Sequence, residues 1–258
     1  MTNFLFPRSY LAGLVHSVAG GSSTFNISAG QCADSTNASI MNSVALAKTT
    51  GAWAPGNGGA LDTGTIAPST WYHVHQIEQP AQFMGDTPLV DTCISLSAVA
   101  PTFGVNIPNT YTLSRRHWAM KTDASSNWIK FVQFGDRCVW NVPFADVSNY
   151  VLGSISTLFP LSVPPGVLVD VTFGSYWSNS SSPSYVTIQS PLLPTQVANV
   201  PAGNISLTSP ANGVGITGQF TITTDTSQNI RAVASAGVVS PSFFIVTQSY
   251  LDRRGRDA

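Results

Sequence analysis

Hydrophobic and polar residues alternate along most of the chain with a period of two, the pattern of strands that bury one face. The clearest run covers residues 70–78. Trp71, His73, His75 and Ile77 fall on one side of it, and Tyr72, Val74, Gln76 and Glu78 on the other. Residues 89–97 alternate again, with Val90, Ile94 and Leu96 on one side. The stretch from Gln79 to Pro88 carries Pro80, Gly85-Asp86 and Pro88, which predict a long hairpin loop. Three more strands are expected over 111–121, 128–134 and 137–142. A polar turn (122–127) separates the first two, and the two-residue signal Gly135-Asp136 separates the last two. Upstream, 24–28 and 39–48 read as strands joined by the turn-rich Gly30 to Asn37. Trp53 to Gly59 is a glycine loop, since Gly and Pro break a strand interior.

Residues 141–165 carry Pro143, Pro160, Pro164 and Pro165 and a less regular pattern, so they read as a boundary. Beyond it, Val167, Val169, Val171 and Phe173 begin a new alternation. Further strands are expected over 185–189, 204–208, 218–224, 230–236 and 242–248. Turns recur at the roughly 8–12-residue spacing of sandwiches and barrels. The expected fold is all-β, with two antiparallel β-sandwich (jelly-roll-like) units. One covers residues 1–150; the other covers 151–258 and ends in a short charged tail. A single larger sandwich is the alternative.

Composition narrows the function classes. Of the 258 residues, 43% are hydrophobic and 9% charged, against about 25% charged in typical domains. Ser, Thr, Asn, Gly and Pro fill the deficit, giving a neutral, hydrogen-bonding surface. The net charge of −1 offers no field to recruit nucleic acid or an anionic membrane. No apolar run reaches the roughly 18 residues of a membrane span. The first residues lack the basic-then-apolar pattern of a signal peptide, so synthesis in the cytoplasm is expected. Cys32, Cys93 and Cys138 have no CxxC spacing and are odd in number, which favours buried free thiols.

Catalytic chemistry is thinly represented. Glu78 is the only glutamate, most of the eleven aspartates sit in turn contexts, and no GxSxG elbow occurs. The expectation is a non-enzymatic protein without cofactor. His73 and His75 would share a strand face and could bind a metal with a third ligand, but a half-buried pair beside Trp71 and Ile77 is the commoner arrangement, and no metal site is assigned. Two candidate binding regions remain. One is the basic-aromatic run Arg115-Arg116-His117-Trp118, of which Arg116 and Trp118 are the candidates. The other is the Ser178–Ser182 loop with Tyr176, Trp177, Asn179 and Tyr185, whose flat rings, amides and hydroxyls suit neutral sugars and pilin surfaces. The charge-dense Asp252 to Asp257 reads as an exposed tail or a subunit-docking element.

A series of blocks runs in order along the chain: Tyr10-Leu-Ala-Gly-Leu14, Gly30-Gln-Cys-Ala-Asp-Ser-Thr-Asn37, Gly58-Gly-Ala-Leu-Asp-Thr-Gly64, Trp71-Tyr-His-Val74, Tyr111-Thr-Leu-Ser-Arg-Arg116 and Phe131-Val-Gln-Phe-Gly-Asp136, then Thr224-Asp-Thr-Ser-Gln-Asn-Ile-Arg231 and Asp252-Arg-Arg-Gly-Arg256. Together they resemble a family of virion proteins of tailed bacteriophages and prophages encoded near tail-fibre genes. The resemblance implies a structural virion component at the tail tip or fibre, acting in host-surface attachment. Its implied partners are other virion proteins, further copies of itself (commonly a trimer), and a host-surface glycan or pilus. It implies no catalytic residue, and it places His75 in a core-facing slot usually held by an apolar or aromatic side chain. The alternatives are a head-decoration or baseplate-connector protein without receptor binding, a carbohydrate-binding module, and, as an enzyme, a polysaccharide depolymerase.

Overall fold

Alternating β-branched and aromatic residues punctuated by Gly, Pro, Asn and Asp leave the backbone one economical solution, which is strands joined by tight turns. A computed structural model shows this solution for residues 9–180, 184–196, 198, 206–210 and 213–256. Among these described residues there are nineteen strands and no helix, so the chain is all-β. It divides into two units. Unit 1 comprises residues 1–136 together with 252–258, and unit 2 runs from Arg137 to Leu251.

This division differs from the expected boundary near residue 150. The strand that begins at Arg137 continues to Tyr150, straight through Pro143. Pro143 falls where the register slips, between Val139 and Phe144, so its missing N–H removes no ladder bond. The charged tail also belongs to unit 1 rather than to the second unit.

Unit 1 contains β1 (Leu11–Gly13), β2 (His16–Val18), β3 (Thr24–Ile27), β4 (Gly30–Ala33), β5 (Ile40–Ser43), β6 (Leu46–Ala52), β7 (Gly59–Leu61), β8 (Trp71–Gln79), β9 (Leu89–Ser95), β10 (Leu113–Lys121) and β11 (Phe131–Phe134). A three-stranded sheet has the order β1-β4-β5, and a seven-stranded sheet the order β10-β8-β9-β7-β6-β3-β2. The expected single strand over 39–48 is two strands, β5 and β6. The expectation of purely antiparallel pairing also fails here, because β7 lies parallel to both β6 and β9. Strands β8, β9 and β10 are buried on both faces over most of their length. The polar side chains of that alternation are therefore interior and must be satisfied there. Trp128 is fully buried and meets Phe25 and Tyr72 edge-on.

Unit 2 contains β12 (Arg137–Tyr150), β13 (Thr157–Pro160), β14 (Asp170–Ser178), β15 (Ser184–Gln189), β16 (Ser206–Ser209), β17 (Ile216–Thr223), β18 (Asn229–Ala234) and β19 (Ser242–Leu251). Within this unit one sheet runs β12-β19-β14-β17 and the other runs β13-β18-β15-β16. Burial alternates cleanly along β14 and β19. Val171, Phe173, Trp177, Phe243 and Ile245 point inward, and Phe243 packs on Phe159 of the opposite sheet at a 5.6 Å ring separation. This is a sandwich-like arrangement, as the period-two pattern predicts.

Candidate functional site

The basic-aromatic run lies on β10, the edge strand of the seven-stranded sheet. A bulge between Arg116 and Trp118 takes up His117. The C-terminal segment closes over this edge. Arg116 makes a fork to Asp252, with Nη1–Oδ1 at 3.0 Å and Nη2–Oδ2 at 2.5 Å, and its Nε donates to His73 Nδ1 at 2.9 Å. Arg254 donates through Nε to the His117 carbonyl (3.0 Å) and through Nη2 to the carbonyls of Gly13 (3.1 Å) and Leu14 (2.5 Å). Its guanidinium lies 5.9 Å from the Trp118 ring centroid. Arg115 donates to the Gly255 carbonyl, and Arg256 pairs with Asp136. Gly255, at φ +66°, sits against the Arg116 carbonyl where a Cβ has no room.

Arg116 (5% exposed) and Trp118 (0%) are thus interior, and the run is no surface site. In the described part of the tail, Asp252 and Arg254 are likewise buried rather than exposed for docking. The physical reason is mutual satisfaction: Arg116 on the edge strand and Asp252 in the tail neutralise each other, and Arg115 spends its donors on the backbone carbonyls of Ala33, Asp34 and Gly255 instead of facing water. Burial works against the charge of Asp252, but Arg116 and the Arg254 N–H outweigh it and hold the carboxyl below its usual range.

The second candidate region separates in three dimensions. Trp177 is fully buried, with its Nε1 donating to Ser184 Oγ at 3.2 Å. Asn179 (1% exposed) is a loop anchor. Its Oδ1 accepts from the Val239 N–H at 2.7 Å, and its carbonyl accepts from the Gly213 N–H at 2.9 Å. Neither side chain can stack on a ligand at the surface, because strand alternation sends Trp177 inward. Residues 181–183 of the loop lie outside the described residues. Tyr176 and Tyr185 are both half-exposed, but they stand on β14 and β15, in opposite sheets.

What the structure assembles instead is the outer face of β14, β19 and β17. Tyr176 meets Phe244 edge-on at 5.6 Å, and the two rings with Ser242 line an open depression of about 420 Å³. Gly215 lies directly against the Tyr176 ring, where any Cβ would collide with it. The absence of a side chain there sets the ring's position. The floor continues over Gly174, flanked by Gln219 and Gln248, which bond to each other across it. Ser242 donates to Asn149 Oδ1 at 2.7 Å, and Thr172 and Thr221 bond at 3.0 Å. From Gly174 to Tyr176, Thr217 to Thr221 and Ser242 to Gln248, these strands carry no ionisable acid or base other than Tyr176 itself. Such a face can stack on apolar surfaces and exchange hydrogen bonds through its hydroxyls and amides, and it presents no charged side chain. The sequence signal for it was present in the outward positions of β14 and β19, but it was overshadowed by the adjacent, larger Trp177.

His73 and His75 are engaged separately. His73 accepts from Arg116, and His75 Nε2 lies 2.9 Å from the Ser97 carbonyl. Among the described residues no group of His, Cys, Asp and Glu is placed to hold a metal. All three cysteines are buried free thiols, and burial pushes Cys32 up to about 12.

The blocks that carry the family resemblance work as folding devices in the described residues. Asp34 accepts from the backbone of Thr36, Ala38 and Ser39 and builds the turn between β4 and β5. Burial alone would raise its carboxyl, but these bonds lower it. Asp62 accepts from Thr102 N–H at 2.7 Å, and Asp225 from Ser227 and Asn229. Asp34 and Asp225 are local backbone acceptors, the reason Asp is favoured in turns, whereas Asp62 ties down a segment 40 residues away.

No protein-family model matches the chain, and no curated protein does. Among solved structures it is similar to infectious bursal disease virus Gx strain at 11% identity and TM-score 0.25, over 95% of this chain and 72% of that one. It is also similar to an Arthrobacter globiformis isomalto-dextranase complexed with panose, at 12% identity and TM-score 0.21, over 94% and 36%. A third is the mosquito-larvicidal Cry4Aa toxin from Bacillus thuringiensis, at 8% identity and TM-score 0.22, over 96% and 53%. Likenesses this slight say nothing of role.

Proposed function

We propose that this chain is a non-enzymatic structural component of a tailed-bacteriophage virion, placed at the tail tip or fibre, and that it attaches to a neutral host-surface glycan. The observation that carries the reading is the strand order of unit 2. Numbered one to eight from β12, its sheets run 1-8-3-6 and 2-7-4-5. We read this as a jelly roll, a fold used by viral capsid and lectin domains alike. That step is a fold-level analogy; the site itself must supply the chemistry.

The outer face of β14, β19 and β17 supplies it. Tyr176 and Phe244 offer apolar rings for the C–H face of a pyranose, and Ser242, Gln219 and Gln248 offer hydroxyl and amide partners at the rim. The absence of charge favours a neutral sugar over an acidic one. The resemblance in ordered blocks across the chain adds the phage context, with other virion proteins as partners.

Antibody labelling of intact particles in the electron microscope, paired with binding of the purified protein to host cells, tests the proposal. Label at the tail tip or fibre and binding that Tyr176→Ala and Phe244→Ala each weaken at least tenfold are expected. Label on the head, or cell binding indifferent to both substitutions, overturns the attachment role. Labelled heads would return the head-decoration alternative.

A further inference from the structure

The free edge of β17 is built to receive another strand. β17 spans eight residues, Ile216 to Thr223, and pairs with β14 through eight consecutive register positions without a bulge. It closes its sheet, so half of its N–H and C=O groups point away from β14. Among the described residues no backbone group outside β14 bonds to β17.

Soluble proteins protect such edges with Lys, Pro, bulges, short strands or a covering segment. The other edges here follow the rule. β10 is covered by the C-terminal segment, β13 has four residues and ends in Pro160, and β16 has four residues. Among the described residues β17 has none of these devices. From Gly213 to Thr224 there is no charged residue and no proline.

The core is also open along this edge. Ile216 and Phe220 point inward, yet both remain partly exposed, unlike Phe173 and Phe243 on the strands behind them. Phe220 leans over Gly218, and its ring packs on Phe173 at 5.9 Å, leaving its outer edge uncovered. An added strand would complete both the hydrogen-bond ladder and this cover.

We propose that the occupant is β17 of a second copy of this chain, paired antiparallel across a two-fold axis. The choice of occupant rests on charge. In antiparallel self-pairing the residues nearest the two-fold axis face their own symmetry mates, so a Lys, Arg, Asp or Glu in the middle of the strand would meet its like. From Ile216 to Thr223 no charge stands in the way, so this edge meets a second copy of itself without like-charge repulsion. The result is a continuous sheet in which the two Tyr176–Phe244 faces lie on the same side, presenting two attachment sites instead of one. It is a dimer, not the trimer that the family resemblance suggests. The inference is independent of what those faces bind.

Sedimentation velocity of the full chain over a range of micromolar concentrations tests it. A concentration-dependent dimer is expected. Gln219→Lys and Thr221→Lys on the β17 edge should each weaken it at least tenfold, with an unchanged circular dichroism spectrum. Gln248→Lys, on β19 of the same face, should leave it intact. A protein that stays monomeric throughout, a trimer, or a dimer unmoved by the β17 substitutions overturns the proposal.

Discussion

Unit 1 should lose stability in mild acid, because it buries neutral histidines that cannot take up a proton in place. His16, His75 and His117 are all interior. His16 donates through Nδ1 to Gln133 Oε1 at 3.0 Å and stacks on His117 (4.9 Å) and Trp118 (5.6 Å). Burial, then Arg254, lowers His16 to about 3, against the raising effects of Gln133 and Asp252. Burial lowers His75 to about 4, with Arg116 adding to it and the Ser97 carbonyl opposing. His117 is held well below its ordinary value by burial first, then by His16, Arg254, His75 and Arg116.

In the unfolded chain each titrates near 6.5. Between the folded and unfolded values the unfolded state binds more protons, so stability is complete above about pH 6.5 and falls as pH falls. At pH 5 the linkage relation gives about 2 kcal/mol for each of His16 and His75, about 4 kcal/mol together, and His117 adds in the same direction. Glu78, raised by burial, opposes them through one carboxyl. The loss is a large part of a typical total of about 5–15 kcal/mol. Urea titrations followed by tryptophan fluorescence from pH 7.5 to 5 should show the midpoint falling steeply below 6.5. His16→Gln should lower stability at pH 7.5 but flatten the slope below 6.5. A wild-type midpoint that is flat or rises toward pH 5 would refute the reasoning.

Three further outcomes follow from the same contacts. Lys48 and Asp91 form a buried ion pair at 2.8 Å, with Asp91 also accepting from Gly56 N–H; Asp91→Ala leaves the ammonium unpaired and should cost about 3–5 kcal/mol by chemical denaturation. Asp252→Ala strands Arg116 in the same way, should cost a similar ~3–5 kcal/mol, and should expose the β10 edge to faster amide exchange at Arg116 to Trp118. Trp177→Ala should destabilise unit 2 by about 3–5 kcal/mol, whereas Tyr176→Ala on the outer face should leave the melting temperature nearly unchanged and reduce only cell binding.

Much of the architecture was legible because alternation is a local property. The strands read at 70–78, 89–97 and 242–248 became β8, β9 and β19 with small shifts at their ends. The short strands β1, β2, β4 and β7 were not read, since three or four residues carry too little periodicity to stand out. The boundary was misplaced because prolines were read as breaks, while Pro143 sits at a register slip inside β12. The candidate site was half legible. Tyr176 was found, but its real neighbour, Phe244, lies 68 residues away along the chain.

What the sequence determined by itself was the class of structure and the character of its surface. Period-two patterning, frequent turn residues and scarce charge dictate neutral β-sheets whatever their pairing, because each acts over a few residues. Only the tertiary structure decided which polar groups face water. Arg116, Asp252, His16 and His117 are all residues that belong outside on average, and folding placed them inside against one another. That decision depends on partners distant in sequence, and the free energy of a buried charge is set by those partners rather than by the residue itself.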